Sequence, residues 1–372
     1  LLTLNTPLYV RSLSSSVGNL LAALATSGEI EVTNTVINNS FLGAGVNVLP
    51  MQLMKNSKNL GYRAEFLASE REVIRSLNPK VARVWFQNDW FQTGWYNYNF
   101  EKDEFKAFLE YMDIFKEIGT DIELDFSFVV GTSIQNWFGI EGVTDQNRSA
   151  PNNLEAFADS VLKCLQYLKQ NGYPVKYITL SNEPDHLNYI ANAENNNMSV
   201  KMEYYVQTLT AIDAALKTAG IRSEFEIWGP ECTSKGLENG WLDGIKAYDL
   251  QGVIDRYSTH DYQTYYNAYE ARAAEYKAKT NGKVCVTEFG TANPTFKLSN
   301  VGRLISVANN GLHTALEWCL SNSAFADPFA GSIHDEGICL YKNRVVNGRY
   351  TNELEVGSIS HEYGPAMSYI PK

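Results

Sequence analysis

Short apolar runs alternate with helical patterns beyond residue 40, and this alternation limits the folds open to the chain. Four of the intervening segments place apolar residues at helical spacing and end at a glycine; they are 103–119, 153–172, 201–220 and 267–282. Strands separated by helices indicate parallel β/α units. The eight apolar runs are 41–49, 81–86, 121–130, 176–182, 225–230, 253–260, 283–289 and 313–320.

Eight such units are the number that closes a (β/α)8 TIM barrel, which typically needs about 250 residues. We therefore predict an α/β fold in which residues 41–372 form a (β/α)8 barrel. Residues 1–40 are predicted to be an N-terminal extension that packs on the barrel, and the C-terminal part to hold a hairpin (340–350) and a last helix (362–369). An open doubly wound sheet is the alternative. It is disfavoured because no G-x-G-x-x-G turn follows the first run.

Net charge limits the partners of this chain. The formal net charge of the 372 residues is −11, and the sequence pI is about 5.1. This balance argues against nucleic acid or an anionic membrane surface as the partner and suits a neutral ligand. No stretch of about 18 apolar residues predicts a membrane span. We expect a secreted or cell-surface protein, with the cytoplasm as the alternative; the oligomeric state is left open.

The cysteines do not predict a structural framework. The chain has five of them, an odd number, and no pair has C-x-x-C spacing. A disulfide framework or a zinc site is therefore disfavoured, and buried inert thiols are favoured. No cofactor and no metal site is predicted.

Carboxylates stand where two of the predicted strands end. In a (β/α)8 barrel, functional residues collect at the carboxyl ends of the strands. Glu183 ends the fourth run and Glu288 the seventh, so the fold can bring them together at the barrel mouth. Two carboxyl groups about 5–5.5 Å apart are the machinery of a retaining glycosidase, one acting as acid/base and one as nucleophile. Arg83 and Tyr262, if they reach Glu288, would favour its charged form, and that charge would keep Glu183 protonated.

Aromatic residues are concentrated in a polar loop after the second run. Trp85, Trp90 and Trp95 occur among polar residues in the segment WFQNDWFQTGWYNYNF. Sugars stack their C–H faces on such rings, so the loop is interpreted as part of a sugar-binding cleft with more than one subsite, which favours an oligo- or polysaccharide. Ordinary loop packing is the alternative interpretation.

Several of these strand ends resemble the signatures of the clan A glycoside hydrolases. SNEPD at 181–185 and VTEFG at 286–290 are similar to the two catalytic signatures, and H-x-Y at 260–262 and the second-run arginine belong to the same pattern. The resemblance covers roughly residues 41–372 and implies a retaining (β/α)8 enzyme. Family 39 is the most similar, with families 5 and 30 as relatives.

The resemblance also implies roles for individual residues. Glu183 resembles the acid/base and Glu288 the nucleophile. Asn182 resembles the asparagine that binds the sugar 2-hydroxyl, whereas Arg83 and Tyr262 resemble the groups that position the nucleophile. The remaining predicted substrate-binding residues are the subsite histidine His260, the floor tryptophan Trp318, and Trp137 and Trp90.

Two other functions are open at this point. A non-catalytic carbohydrate-binding barrel would keep the aromatic cleft without the chemistry. A metal-dependent hydrolase would use the loop His334–Asp335–Glu336, although adjacent residues rarely point at one ion. Glu231, after the fifth run, would either line the cleft or be solvated.

Overall fold

Eight parallel strands close into a barrel in the computed structural model, which describes residues 38–50, 63–126, 154–185, 202–234, 240–248, 250–262, 268–290, 300–320, 340–346, 349–356 and 360–369. Each strand pairs with the barrel strand before it in sequence, and the first pairs with the last. Each overlaps one of the predicted apolar runs, which confirms the (β/α)8 fold. The barrel strands are β1 (Gly43–Val48), β2 (Val81–Trp85), β5 (Asp121–Asp125), β6 (Val175–Thr179), β7 (Glu226–Cys232), β8 (Arg256–His260), β9 (Val284–Phe289) and β10 (Thr314–Glu317).

A helix follows each of these strands among the described residues. The helix Asp103–Ile118 ends at the predicted glycine, Gly119. This residue has a left-handed φ of 74°, and its N–H bonds to the carbonyl of Phe115. The helices are α1 (Arg63–Leu77), α2 (Asp103–Ile118), α3 (Leu154–Gln170), α4 (Met202–Thr218), α5 (Trp241–Ala247), α6 (Tyr269–Lys279), α7 (Asn300–Asn309) and α8 (Ser360–Tyr369).

Two small hairpins and three short 3-10 helices complete the described elements. The first hairpin lies in the loop after β2, and the second occupies the predicted position before the last helix. The hairpin strands are β3 (Gln92–Gly94), β4 (Asn97–Tyr98), β11 (Tyr341–Val346) and β12 (Arg349–Val356), and the 3-10 helices are Asn88–Trp90, Arg222–Glu224 and Leu250–Gly252.

Most residues of the barrel strands are buried on both faces of the barrel wall, and their apolar side chains form two clusters. The larger core lies between strands and helices, and a smaller apolar cluster of Val81, Tyr177, Trp228, Cys285 and Leu316 comes from five strands. Side chains two apart share a face of a strand. The face of β2 that carries Val81 therefore also carries Arg83, which is completely buried. The barrel interior is apolar at one level and charged at the next.

The barrel closes where β1 passes close to its neighbours. A Cβ added to Gly45 would lie 2.8 Å from the side chain of Leu316 and still nearer to the carbonyl oxygen of Val81. Glycine is the residue that permits this approach. At the same level, the hydroxyl of Tyr363 on α8 lies 3.1 Å from the carbonyl oxygen of Gly45 and 3.2 Å from that of Ala315. The last helix is thereby joined to the seam between β1 and β10.

Several expectations fall wholly or partly outside the described residues. The N-terminal extension is described only from residue 38, and neither Trp137 nor the loop at His334 is described. Four cysteines are described, and all are buried free thiols, as favoured from the sequence. Among the described helices, none has the length and apolar character needed to span a membrane.

Candidate active site

The carboxyl ends of the barrel strands bring seven of the predicted site residues together. β8 ends at His260, β9 carries its glutamate one residue before its end, and the tryptophan follows directly after β10. The loop after β6 supplies an asparagine and a glutamate. The seven residues are Arg83, Asn182, Glu183, His260, Tyr262, Glu288 and Trp318.

Glu183 and Glu288 form a close pair. A carboxylate oxygen of one lies within 4.8 Å of a carboxylate oxygen of the other. The side chain of Glu183 is 16% exposed and that of Glu288 is 6% exposed. Glu183 has a left-handed φ of 45°, a conformation that a residue with a Cβ keeps only when its surroundings hold it there. The two carboxyl groups thus border one small space that solvent reaches.

Both oxygens of Glu288 receive hydrogen bonds. Nη1 of Arg83 donates to Oε1 at 2.5 Å, and the hydroxyl of Tyr262 donates to Oε2 at 2.9 Å. Burial raises the pKa of Glu288 above its ordinary value, and the charge of Glu183 acts in the same direction. His260, Arg83 and Tyr262 oppose this rise. The two residues expected to favour the charged form do so, but burial outweighs them.

Arg83 is the cation around which this end of the barrel is organised. Its Nη2 donates to Oδ2 of Asp125 at 2.6 Å and lies 3.4 Å from Oε2 of Glu231. Its Nε is 3.7 Å from Oε1 of Glu123. Burial by itself would lower the pKa of Arg83, but the four carboxyl groups around it raise the pKa well above its ordinary value. Arg83 therefore stays charged and fixes Glu288 from within the barrel.

Two asparagines also contact this arginine. Oδ1 of Asn182 accepts a hydrogen bond from Nη2 at 3.1 Å, and Oδ1 of Asn47 accepts one from Nη1 at 3.2 Å. Only the oxygen of an amide can accept from a guanidinium, so the contact fixes how each amide is turned. Asn182 is held beside the glutamate pair, whereas Asn47 was not predicted from the sequence.

His260 lies beside the glutamates, and it is completely buried. Its Nδ1 is 2.9 Å from Oε1 of Glu183 and 3.1 Å from Oε2 of Glu288. Its Nε2 is 3.2 Å from Oε2 of Glu231. Burial would lower the pKa of His260, but the three glutamates raise it to about 10, so the ring carries both protons at neutral pH. The structure therefore corrects the subsite role: this ring contacts the glutamates instead of facing the cleft.

Glu231 is the principal residue of the site that the sequence did not assign. It is neither solvated nor part of the cleft lining, because it is completely buried. Its Oε2 accepts a hydrogen bond from Thr287 at 2.5 Å. Burial raises the pKa of Glu231, but Arg83 and His260 lower it, and the net direction is downward. Its position at the end of a strand run is the only sequence signal that could have identified it.

Two tryptophans pack against each other at the carboxyl ends of β2 and β10. Trp318 is partly buried and packs edge-on against Trp85, with ring centroids 5.5 Å apart. The ring of Trp85 in turn lies 5.2 Å from the guanidinium carbon of Arg83. Trp318 is thus held at the strand end where the resemblance expects the floor of the sugar site.

Trp90 does not lie in a sugar-binding cleft. It is 4% exposed and packs against Phe86 and Phe108, with ring centroids 5.2 and 5.6 Å away. The structure corrects this prediction, because the ring belongs to the core between β2 and α2. In the same loop, Trp95 and Tyr96 are the exposed aromatics, at 37% and 53%.

Among the described residues, Glu183, His260 and Glu288 are the group whose side-chain atoms converge closely enough to hold a cation. An imidazole ligates a metal through an unprotonated nitrogen. Both nitrogens of His260 face carboxylates, and its raised pKa of about 10 keeps both protonated at neutral pH. The donor set fits a hydrogen-bonded carboxylate pair better than a metal centre.

No protein-family model matches this chain, and no curated protein matches it significantly. Solved structures do. An exo-beta-1,4-mannosidase from Opitutaceae bacterium strain TAV5 has a TM-score of 0.60 and 16% identity over 88% of this chain and 59% of its own. A conserved exported protein from Bacteroides fragilis has a TM-score of 0.64 and 15% identity over 91% and 80%.

A family 39 glycoside hydrolase from the gut symbiont Bacteroides cellulosilyticus WH2 has a TM-score of 0.61 and 12% identity over 91% of this chain and 66% of its own. This chain therefore spans less than two thirds of the length of the mannosidase and of the family 39 enzyme. At these identities the likeness shows a shared fold. It is the barrel fold on which these glycoside hydrolases are built.

Proposed function

We propose that this chain is a retaining glycoside hydrolase that cleaves β-linked glycosidic bonds, or the equivalent furanosyl bonds, of an oligo- or polysaccharide. One observation carries the proposal: the carboxylate oxygens of Glu183 and Glu288 approach within 4.8 Å at the carboxyl end of the barrel. Retaining glycosidases hold their carboxyl groups about 5–5.5 Å apart, whereas inverting ones need about 6.5–9.5 Å. The separation of Glu183 and Glu288 therefore fits the retaining class.

The surroundings of the two glutamates support different roles for them. Glu288 is fixed by Arg83 and Tyr262, one donor on each oxygen, as a nucleophile must be held. Glu183 is the more exposed of the two, which suits a group that exchanges a proton with a leaving group and with water. The fold shared with an exo-beta-1,4-mannosidase and a family 39 glycoside hydrolase adds support.

The reaction then runs in two displacements. In the first, an oxygen of Glu288 bonds to the anomeric carbon while Glu183 gives its proton to the glycosidic oxygen, and the bond to the leaving group breaks. In the second, Glu183 takes a proton from water as the water oxygen bonds to the anomeric carbon. The bond to Glu288 breaks, the sugar leaves with its configuration retained, and both glutamates return to their starting states.

The net charge and the exposed aromatics support a neutral glycan as the substrate. The chain carries a formal charge of −11, which repels polyanions. Trp95 and Tyr96 are exposed on the hairpin that follows β2, at the catalytic end of the barrel. Rings in this position suit contacts with sugars beyond the one that is cleaved. A secreted or cell-surface location fits such a substrate, and residues 1–40 are proposed to pack on the barrel as an extension.

Carboxamide variants test the proposal. Glu183→Gln and Glu288→Gln keep the size of each side chain and remove its acid–base function and its charge. On an aryl glycoside identified from a panel of sugars, we expect each variant to lose at least about 100-fold in kcat/KM. Adding azide to Glu183→Ala should restore turnover and yield a glycosyl azide of retained configuration, because azide attacks without a general base. Full activity in both carboxamide variants would eliminate the proposal.

Two alternatives have their own discriminating results. A non-catalytic carbohydrate-binding barrel would bind glycans on the same panel and release no product from any of them. A metal-dependent hydrolase, with ligands in the His334 loop outside the described residues, would lose activity after exhaustive chelation and regain it with the metal. We expect chelation to leave kcat/KM unchanged.

A further inference from the structure

Glu231 lies behind the proposed catalytic pair, Glu183 and Glu288, and it contacts residues that position both of these glutamates. Its carbonyl oxygen accepts the backbone N–H of Glu183 at 2.9 Å. Its side chain accepts a hydrogen bond from Thr287, the residue before Glu288, and it faces the ring of His260. Like Glu183, it has a left-handed φ, in this case 62°. A non-glycine residue keeps such a backbone only where the surrounding structure holds it, and such positions cluster at functional sites.

We propose that Glu231 is a positioning residue that holds the ring of His260 doubly protonated from behind the cleft. The Nε2–H of His260 then donates to Oε2 of Glu231, over 3.2 Å. This leaves the Nδ1–H on the side of the catalytic pair. The inference rests on the proposed glycosidase function for its kinetic consequence, but the protonation of the ring is a property of the unliganded protein.

The Nδ1–H of His260 is shared by two acceptors. Glu183 is 2.9 Å away and Glu288 is 3.1 Å away, so neither has the donor to itself. During the first displacement Glu288 becomes an ester, which is uncharged and a weaker acceptor, while Glu183 becomes a carboxylate. A donor between them then bonds mainly to Glu183, because hydrogen bonds to a charged acceptor are the stronger ones. The Nδ1–H of His260 is thus available to Glu288 before the ester bond to the sugar forms, and it is hydrogen-bonded mainly to Glu183 afterwards.

Charges on every side of the ring bear on its protonation. Burial lowers the pKa of His260, whereas Glu288, Glu183 and Glu231 raise it. The titratable and charged groups around the ring are Arg83, Glu123, Glu183, Glu231, Tyr262 and Glu288. Glu231 is the member that contacts Nε2, so its charge acts on the ring from the side away from the pair.

The test is a pH titration of the ring by NMR. The chain has five histidines, and the signals of His260 are identified by their loss in His260→Gln. In the wild type we expect both ring nitrogens to be protonated at pH 7 and the ring to titrate near 10. In Glu231→Gln, which keeps an acceptor but removes the charge, the pKa should fall by about one unit or more. A neutral wild-type ring at pH 7, or an unchanged pKa in the variant, would overturn the proposal.

Glu123→Gln is the matched control. Glu123 is also completely buried and lies beside the same arginine. Burial and the charges of Glu231 and Asp125 raise the pKa of Glu123 well above its ordinary value, so it carries less charge than an ordinary carboxyl group. The ring nitrogens of His260 contact Glu183, Glu231 and Glu288 instead. The control should therefore leave the pKa of His260 in place. If Glu231→Gln does not fold, a neutral wild-type ring at pH 7 would still overturn the proposal.

A kinetic measurement tests the exchange of acceptors. With an activated aryl leaving group the first displacement is fast, so release of the sugar limits kcat. In Glu231→Gln we expect kcat and KM to fall together by roughly tenfold, because Glu183 acts as base in that step without a well-held donor. A fall in kcat/KM with unchanged kcat would contradict the shift of the His260 Nδ1–H from Glu288 to Glu183. If the wild type cleaves no glycoside, the proposed function fails, and the NMR titration still tests the role of Glu231.

Discussion

Single residues set the chemistry of this site through their burial. Glu288 has a raised pKa because burial outweighs the two cations and the hydroxyl around it. Arg83 and His260 keep their charges for the opposite reason, because several carboxylates surround each of them. Each buried charge in this site needs a partner of opposite charge, since removing one member of a buried ion pair costs about 3–5 kcal/mol.

The pH dependence of activity follows from the pKa of Glu288. In the proposed mechanism the ionised form of Glu288 attacks, so activity should be lost as the pH falls through this pKa. Because the pKa is raised, the acid limb of kcat/KM should lie above the ordinary carboxyl range of about 4.3. Tyr262 stabilises the ionised form, so Tyr262→Phe should move the limb upward by about one pH unit. The measurement is a pH profile of kcat/KM for both proteins.

Tyr98→Phe is the control for that profile. The hydroxyl of Tyr98 also donates to a carboxylate, that of Asp159 on α3, at 2.6 Å, but it does not contact Glu288. Its acid limb should coincide with that of the wild type. An acid limb that stays in place or moves downward in Tyr262→Phe would show that the hydroxyl does not hold the charge on Glu288.

At the scale of elements, the seam between β1 and β10 is strengthened by the last helix. The hydroxyl of Tyr363 reaches the carbonyl oxygens of Gly45 and Ala315, and it is completely buried. Tyr363→Phe removes this donor and keeps the ring, so the free energy of unfolding should fall by about 1 kcal/mol. Urea denaturation followed by circular dichroism measures the change. Tyr248→Phe, at a site that is 49% exposed, should stay within about 0.5 kcal/mol of the wild type.

Elements were predictable from the sequence because their signals are local. Helical periodicity, glycine stops and apolar runs each lie within one segment, and they placed all eight barrel strands. The strand ends then identified Glu183 and Glu288 as partners. These predictions need only the rule that parallel strands bring their carboxyl ends to one face of a barrel.

The charged interior of the barrel was not predictable from the sequence. Both faces of a barrel strand are buried, so the alternation of polar and apolar residues no longer indicates which side chains face solvent. Glu123 and Asp125 were included in an apolar run, yet both contact Arg83 from β5, the strand next to β2. The left-handed backbone of Glu231 leaves no mark in the sequence. Trp90 was assigned to the site although it lies in the core. A tryptophan in a polar loop can stack on a sugar or pack in the core, and the sequence does not show that α2 covers this one.

At the scale of the whole molecule, the negative charge should select among substrates. A neutral aryl glycoside should have a higher kcat/KM than the same glycoside with a carboxylate at the sugar C6 when the salt concentration is low. Raising the salt should increase kcat/KM for the anionic substrate and leave the neutral one nearly unchanged, because salt screens the repulsion. Both substrates are assayed at about 0.01 M and 0.5 M salt, which correspond to Debye lengths of roughly 30 Å and less than 8 Å. Faster cleavage of the anionic substrate at low salt would contradict this expectation.

The seam between β1 and β10 also determines when a newly made chain can finish folding. The hydroxyl of Thr314 bonds to the carbonyl of Gly43, 271 positions earlier. At about 5–20 residues per second, a ribosome needs roughly a quarter of a minute to a minute to make that stretch. During this time one edge of β1 has no barrel partner, and an open strand edge invites association with other chains. Until β10, the last barrel strand, emerges, the nascent protein therefore exposes a strand edge from which dilution or chaperones would have to keep other chains away.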